Sequence, residues 1–198
     1  MTRVLAVNGS YRDDGVTDRV MDTIVAELAD AGAEVEVVLL REHPIEFCLN
    51  CRQCTQKPGE DPAQCVQHDD MRELIDKVEQ ADAYVLAAPT NFGSVTALFK
   101  RFMERLTVYA YWPWEQPAPT MRKRQQPRKR AIVVSSCAAP GFLGRLLYTS
   151  HRQLKNTADV IGADTVGSLF TGHAARRAGN ELPIEIVERA RELAHKLL

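Results

Sequence analysis

Short apolar runs alternate along this chain with longer stretches of helical period. The runs are rich in Val, Ile and Leu at successive positions, as strands covered on both faces of a parallel sheet are, and they predict strands at Val4–Val7, Val35–Leu40, Ala83–Ala88, Ala131–Ser135 and Thr165–Phe170. Apolar residues at helical spacing predict helices at Thr17–Ala31, Met71–Gln80, Thr96–Val108, Leu143–Ile161 and Pro183–Leu198. Strict alternation of the two patterns predicts an α/β fold, with a doubly wound parallel sheet of five strands and helices on both faces.

Length and composition narrow the class of protein. The 198 residues are 45% hydrophobic and carry a formal net charge of −1, which predicts a single domain over 1–198 without a strongly charged nucleic-acid or membrane surface. No apolar run approaches the roughly 18 residues that span a bilayer, and the apolar start is too short for a signal peptide. We therefore expect a cytoplasmic protein whose five cysteines are thiols, metal ligands or redox groups rather than structural disulfides.

The segment NGSYRDDGVT, residues 8–17, connects the first strand to the first helix. In doubly wound folds the ligand lies beyond the carboxyl ends of the strands, and a helix N-terminus with free N–H groups suits a phosphate. Ser10 and Thr17 offer hydroxyl groups and Arg12 a guanidinium. The segment lacks both the dinucleotide spacing G-x-G-x-x-G and the lysine of a nucleoside-triphosphate loop, so a single terminal phosphate fits it better. An ordinary strand–turn–helix connection remains the alternative.

Two further loops of small residues follow the third and fourth strands. In AAPTNFGSVTALFKRFMER, Pro89 fixes a turn and Gly93 allows a ligand to approach the backbone closely. Residues 90–92 present a polar edge and an aromatic face that suit a flat heteroaromatic ring, although an ordinary turn before a helix explains them equally well. The fourth strand runs into VVSSCAAPGFLG. Three such loops at one edge of a sheet favour a shared binding site.

The combination of NGSYRDDGVT, CLNCRQCTQKPGEDPAQCVQHDDM and APTNFGSVTALFKRFMER resembles the NADPH-dependent FMN reductase family of flavodoxin-like folds. The resemblance is strong over residues 3–106 and implies a sheet in the order 2-1-3-4-5 with FMN at the point where the strand order reverses. It implies a phosphate site of Ser10, Arg12, Val16 and Thr17, an isoalloxazine site of Pro89, Thr90, Asn91, Phe92 and Gly93, and a position for Cys137 near the ring or the ribityl chain. It also implies a homodimer or homotetramer, with the third helix and the following loop in the interface.

Four cysteines lie between the second strand and the second helix. Cys48, Cys51 and Cys54 are spaced C-x2-C-x2-C, and Cys65 follows after ten residues. Three thiolates at this spacing can ligate three irons of a [4Fe-4S] cluster, with a fourth ligand from further along the chain. The pattern resembles the iron-sulfur flavoproteins, a branch of the same family, but the gap before Cys65 is longer than theirs. Zinc and free or redox-active thiols remain open as alternatives.

A second long loop joins aromatic residues to a basic segment. Tyr109, Tyr111, Trp112 and Trp114 precede six basic residues between Arg122 and Arg130. The aromatic residues suit a cover for the flavin or a subunit interface, and the basic residues suit the phosphates of a pyridine nucleotide or a solvated loop. The chain as a whole is not basic, which argues against nucleic acid. The histidines, including His173, have no metal-ligand spacing.

These observations predict an FMN-dependent NAD(P)H oxidoreductase. Hydride would pass from NAD(P)H through the bound flavin to a quinone, a flavin or a similar small acceptor, and no side chain is assigned as acid, base or nucleophile. One alternative is an iron-sulfur flavoprotein that transfers single electrons through a [4Fe-4S] cluster. Another is a non-enzymatic thiol redox sensor, since flavodoxin-like folds have many functions.

Overall fold

The computed structural model describes residues 1–172 and 181–198, and His173 lies outside them. Its strands, in chain order, are β1 Arg3–Asn8, β2 Glu34–Leu39, β3 Ala83–Ala87, β4 Thr90–Asn91, β5 Ser94–Val95, β6 Ala110–Tyr111, β7 Thr120–Met121, β8 Lys129–Ser136 and β9 Ala163–Thr171. Its α-helices are α1 Val16–Asp30, α2 Met71–Gln80, α3 Ala97–Arg105, α4 Gly141–Leu147, α5 Ser150–Val160 and α6 Ile184–Ala194. Short 3₁₀ segments occupy Leu40–Glu42, Gln53–Thr55, Leu106–Tyr109 and Arg122–Gln125.

The five long strands form one parallel sheet in the order β2-β1-β3-β8-β9. This is the predicted flavodoxin-like order, since β8 and β9 are the fourth and fifth strands of the sequence pattern. The remaining strands make two antiparallel ribbons, β4 with β5 and β6 with β7. The prediction of fold class is therefore confirmed.

Two apolar layers cover the sheet, because successive side chains of a strand point to opposite faces. On one face, Val4 and Ala6 of β1 pack in a core with residues of α1 and α6. On the other face, Leu5 and Val7 pack with residues of α2, α3 and α5. The rows of Val, Ile and Leu that predicted the strands are thus buried on both sides of the central strands.

The predicted helix Leu143–Ile161 is wrong, because the structure contains two helices there. α4 ends at Leu147, Tyr148 is extended (φ −98°, ψ 149°), and α5 begins at Ser150. Between the helices, the Thr149 amide and hydroxyl both donate to the carbonyl of Gly93, at 2.8 and 3.0 Å. These hydrogen bonds to a distant loop satisfy polar groups at the break, and a local apolar pattern carries no trace of them.

The side chain that caps the start of α2 belongs to Asp69, one residue before the N-cap position Asp70. The Met71 amide donates to Oδ1 of Asp69 at 3.1 Å. Asp70 makes no side-chain cap bond and instead pairs with His43 at 3.1 Å.

α1, with 15 residues, is the longest helix of the two described ranges. None of the helices in these ranges has both the length and the apolar character that a bilayer crossing requires.

Candidate functional site

The loop after β1 is built around the buried side chain of Asn8. Its Oδ1 accepts the amide of Ser10 at 2.8 Å, and its Nδ2 donates to Oδ1 of Asp18 at 2.6 Å. Ser10 then closes a tight turn, because its hydroxyl donates to the Arg12 carbonyl at 3.1 Å and accepts the Arg12 amide at 3.2 Å. One amide side chain thus fixes the loop to the first turn of α1.

Arg41 holds the same loop from the outside. Its guanidinium contacts carboxylate oxygens of Asp13 at 2.8 Å and of Asp18 at 3.8 Å, and it donates to the Ser10 carbonyl at 3.4 Å. Its positive charge compensates the carboxylates that would otherwise repel an anion here. The sequence analysis missed this residue, whose one signal is its place just beyond β2, the strand next to β1.

The N-terminus of α1 has no side-chain cap. Gly15 is the extended N-cap residue (φ −72°, ψ 167°), and no side chain accepts a hydrogen bond from the first-turn amides. The first helical bond runs from the Arg19 amide to the Gly15 carbonyl at 3.0 Å. The preceding amides therefore remain available to an anion, and the helix dipole favours one.

Hydroxyl groups join the end of β8 to α1, to the segment after β3 and to α5 at this edge. Thr17 of α1 lies 2.8 Å from the hydroxyl of Ser136 at the end of β8. Thr90, just beyond β3, lies 2.7 Å from the hydroxyl of Ser150 and 3.3 Å from that of Ser135. Because these groups are buried or half-buried, the bonds fix the relative positions of the loops that enclose the site.

A close contact between Gly9 and Phe99 sets α3 against the same edge. A Cβ on Gly9 would lie 2.6 Å from Cβ of Phe99, a separation that real Cβ atoms do not adopt. The hydroxyl of Thr96, the N-cap of α3, donates to the Gly9 carbonyl at 2.6 Å and accepts the Phe99 amide at 3.1 Å. Glycine is required here for packing rather than for contact with a ligand.

These loops enclose a cavity of about 350 Å³. Eight of the ten residues expected to bind FMN line it: Ser10, Arg12, Val16, Thr17, Pro89, Thr90, Asn91 and Cys137. Five other lining residues escaped the sequence analysis: Tyr11, Gly15, Thr96, Ser136 and Ala138. They lie in the same three loops as the expected residues.

The other two expected residues, Phe92 and Gly93, do not line the cavity. They are the central residues of a two-residue hairpin between β4 and β5, with φ of 52° and 77°. Positive φ at both positions is the requirement of a type I′ turn, which Gly93 meets easily and Phe92 meets with strain. The Phe92 side chain is fully exposed at this tip.

Cys137 lines the cavity as a buried thiol. Its Sγ donates to the carbonyl of Ala139 at 3.3 Å, and burial raises its pKa above the ordinary value. The thiol is therefore protonated at neutral pH and is not a prepared nucleophile.

The four remaining cysteines lie on the segment 43–70, here called the cysteine loop. All four are half-buried free thiols. Burial, and after it the charges of Cys65, Cys48 and Cys51, raise the pKa of Cys54 to about 11.

The cysteine loop has the ligand chemistry of an iron-sulfur cluster rather than the geometry of a mononuclear site. Within residues 1–172 and 181–198, no three His, Cys, Asp or Glu side chains surround the position of a single metal ion. A tetrahedral zinc site needs each sulfur about 2.3 Å from one ion, whereas a cluster spreads its thiolates over several irons. The cysteine loop offers four thiols, which is the donor chemistry of such a cluster.

Residues of the basic segment 122–130 form ion pairs and hydrogen bonds with other segments of the chain. Lys123 bonds to Glu79 at 2.5 Å, Arg128 to Asp159 at 2.7 Å and Asp164 at 3.0 Å, and Lys129 donates to the Glu79 carbonyl at 2.9 Å. Arg122 and Lys123 are buried. Partners within the chain thus contact Arg122, Lys123, Arg128 and Lys129.

The loop that carries Trp112 and Trp114, here called the aromatic loop, packs on the cysteine loop. The guanidinium carbon of Arg52 lies 3.8 Å from the ring centre of Trp112 and 4.4 Å from that of Trp114. The Trp112 carbonyl accepts hydrogen bonds from Arg52 at 2.7 Å and from Thr55 at 3.1 Å. Neither tryptophan lines the cavity. These two tryptophans, which the sequence suggested as a cover for the flavin or part of a subunit interface, contact the cysteine loop instead of the cavity.

Comparisons with known proteins agree with this architecture. A family model described as NADPH-dependent FMN reductase matches residues 2–175. An iron-sulfur flavoprotein of Archaeoglobus fulgidus is 36% identical over 111 residues, which cover 56% of this chain and 48% of that protein. The chain thus matches about half the length of this curated relative.

Two solved structures share the fold across almost the whole chain. An NAD(P)H:quinone oxidoreductase from Methanothermobacter marburgensis superimposes with a TM-score of 0.72 at 16% identity, covering 100% of this chain and 99% of the other. An FMN-dependent NADH-azoreductase from Bacillus anthracis, solved in complex with FMN, gives 0.70 at 13% identity, covering 99% of each chain.

Proposed function

Because this chain belongs to the NADPH-dependent FMN reductase family, we propose that it is an FMN-dependent NAD(P)H oxidoreductase. The observation that carries the proposal is the cavity of about 350 Å³, which combines an uncapped helix N-terminus with loops from two further strand ends. An uncapped helix suits a phosphate, and the remaining loops leave space for an extended ligand.

The residues that line the cavity divide into two groups. Ser10, Arg12 and Thr17, with the first amides of α1, would hold the phosphate of FMN. Pro89, Thr90 and Asn91 follow β3 on another side of the cavity and would lie along the isoalloxazine, with Cys137 close by. Phe92 stands outside this set, at an exposed tip where it would meet an incoming substrate or a second subunit.

When bound, FMN would accept hydride from NAD(P)H and pass electrons to a small acceptor such as a quinone or a second flavin. The chain contributes binding, orientation and hydrogen bonds. The hydroxyl groups of Thr90, Ser135 and Ser150 hold the ring-side loop, and Thr17 and Ser136 hold the phosphate side. Burial raises the pKa of the Cys137 thiol, and we assign it no acid, base or nucleophilic role.

The purified chain, stripped of flavin, tests this proposal. We expect FMN to bind at least tenfold more tightly than riboflavin, because riboflavin lacks the phosphate that the α1 amides and Arg12 would meet. The reloaded protein should oxidise NADPH or NADH in the presence of a quinone such as menadione. A chain that binds neither flavin, or that binds FMN and oxidises neither nucleotide, would contradict the proposal.

A second candidate function is an iron-sulfur flavoprotein, and the C-x2-C-x2-C motif with Cys65 favours it by its donor chemistry. Cys48, Cys51, Cys54 and Cys65 would hold a [4Fe-4S] cluster, which when bound supplies single-electron transfer. The name of the Archaeoglobus relative is consistent with this candidate. Iron and flavin assays on one sample purified without oxygen decide it: about four irons per flavin support the cluster, and flavin without iron excludes it.

We also propose a homodimer or homotetramer in the cytoplasm. The exposed Phe92 and an exposed Trp114 in the loop after α3 are large apolar groups that a second subunit would cover. Free thiols at all five cysteines suit a reducing compartment. Light scattering during size-exclusion chromatography measures the mass of the assembly, and a monomeric mass would contradict the proposed oligomer.

A further inference from the structure

The short helix α4 rests on the body of the protein through its glycines. A Cβ on Gly144 would lie 2.5 Å from Sγ of Cys137 and 2.7 Å from the ring of Phe170. A Cβ on Gly141 would lie 3.2 Å from the carbonyl oxygen of Phe170. Gly144 is buried. The backbone of α4 therefore approaches the protein so closely that a larger residue at Gly144 would not fit on this side of the helix.

The other side of α4 is apolar and exposed. Four large side chains, here called the α4 face, stand there: Phe142 is 75% exposed, Leu143 37%, Leu146 79% and Leu147 68%. Their spacing of one and four positions places them on one side of a helix. A surface helix of a globular protein normally turns its apolar stripe toward the core. α4 has the reverse arrangement, and a clustered apolar surface of this kind marks a site of interaction.

The charged residues that follow the α4 face along the chain are all basic. Residues 137–158 contain no Asp or Glu. Arg145 on α4 and Arg152 and Lys155 on the first turns of α5 are exposed. In the part of the chain that the structure describes, none of these three forms an ion pair. The next acidic residue, Asp159, pairs with Arg128 at 2.7 Å.

An apolar helix face flanked by cations suits the surface of an anionic lipid bilayer. Its apolar side chains enter the boundary between headgroups and acyl chains, and its cations meet the lipid phosphates. The near-neutral charge of the whole chain does not oppose this, because the attraction acts over about one Debye length, roughly 8–10 Å. A second copy suits the α4 face less well, since a two-fold interface would bring the same cations of both copies together.

We propose that the α4 face docks reversibly on an anionic lipid bilayer, with Arg145, Arg152 and Lys155 at the headgroups. The inference goes beyond the proposed function. α4 begins shortly after Ala138, which lines the cavity, so docking would place the cavity near the lipid. Acceptors that dissolve in lipid, such as long-chain quinones, are concentrated there. Only this last consequence rests on the proposed function.

Flotation of the full chain with lipid vesicles tests the docking. One set of vesicles is phosphatidylcholine, and the other contains about 30% phosphatidylglycerol to supply negative charge. The double variant Leu146→Gln with Leu147→Gln removes apolar groups from the α4 face, and Arg152→Gln with Lys155→Gln removes charge. Ile184→Gln is the matched control, because Ile184 is 61% exposed and belongs to another helix, α6.

We expect the wild type to bind the anionic vesicles roughly tenfold more tightly than the neutral ones, with an affinity that falls as salt is added. The leucine variant should lose roughly tenfold to a hundredfold in affinity for both kinds of vesicle, because it buries less apolar surface. The charge variant should lose roughly tenfold on anionic vesicles alone. Ile184→Gln should stay within about threefold of the wild type.

Three results would overturn the inference. They are a wild type that floats with neither kind of vesicle, a leucine variant that binds as the wild type does, or a leucine variant of smaller assembled mass by light scattering. The last result would assign the α4 face to a second copy. FMN content is measured on every sample. A chain that binds FMN and oxidises NADPH without binding vesicles would retain the reductase proposal and remove only the docking.

Discussion

Arg105 and Asp69 form a bidentate ion pair beneath the cysteine loop, with Nη1 at 2.5 Å and Nη2 at 3.0 Å from the two carboxylate oxygens. The side chains are 1% and 6% exposed. Asp69 also accepts the amide of Glu46 at 2.7 Å, and Arg105 donates to the carbonyl of that residue at 2.8 Å. The pair therefore joins the two ends of the loop, since Glu46 lies near its start and Asp69 near its end.

Asp69→Asn should lower the free energy of unfolding by about 3–5 kcal/mol, because it leaves the buried guanidinium of Arg105 without a counter-charge. Urea denaturation of the apoprotein measures the change. The matched control is Asp82→Asn: Asp82 pairs with Arg3 at 4.0 Å at the surface, so less than about 1 kcal/mol is expected there. Equal effects of the two substitutions would show that the buried pair is no stronger than a surface pair.

The same pair predicts a dependence of stability on pH. Burial opposes ionisation of Asp69, but hydrogen bonds from Arg105 and from the amides of Glu46 and Met71 outweigh it and lower the pKa. A group with a lowered folded-state pKa stabilises the fold above its unfolded value of about 3.9 and loses this effect as the pH falls through the folded value. The difference in unfolding free energy between wild type and Asp69→Asn should be constant from about pH 7 to 5 and shrink below about pH 4. A difference that grows on acidification would contradict this assignment.

Thr17→Val should weaken FMN binding by about tenfold to a hundredfold, the effect of losing one hydrogen bond to a charged phosphate. Quenching of flavin fluorescence gives the dissociation constant. The control is Thr23→Val, which removes a hydroxyl of the same helix that donates to the Arg19 carbonyl at 2.9 Å and does not line the cavity. The control should cost about 1 kcal/mol of stability and change FMN affinity little. The reverse order of affinities would place the phosphate away from Thr17.

Gly9→Ala should lower the unfolding free energy by about 1–3 kcal/mol, because the added methyl group would overlap Phe99. Gly15→Ala is the control, since the nearest atom to its added Cβ is 3.7 Å away and its φ of −72° is ordinary. Thermal unfolding of both apoproteins measures the difference. A smaller loss for Gly9→Ala than for Gly15→Ala would show that α3 shifts freely at this contact.

The hydrophobic pattern alone predicted the five long strands and their parallel arrangement. Val4 to Val7 and Ala83 to Ala87 are apolar at consecutive positions and are buried on both faces, which is the pattern that only a sheet between two helix layers explains. The strand assignments also predicted which loops approach the cavity, because the carboxyl ends of parallel strands share one edge of the sheet.

The sequence could not predict features that depend on contacts between distant segments. The break at Tyr148–Thr149 depends on the Gly93 carbonyl, and the outward position of Phe92 depends on the pairing of Asn91 with Ser94. The basic segment illustrates the same limit. The composition of the segment alone indicated an exposed surface, whereas Arg122 is buried and donates to carbonyls 63 to 68 positions earlier in the chain.

By itself, the sequence determined the fold class, the order of elements and the three loops that approach the cavity, because periodic burial and turn residues are local properties. Only the tertiary structure decided which side chains of those loops line the cavity, that Arg41 pairs with Asp13, and that Arg52 packs against Trp112. These features are set by directional hydrogen bonds and ion pairs between segments that folding brings together, and such pairs leave no periodic signal along the chain.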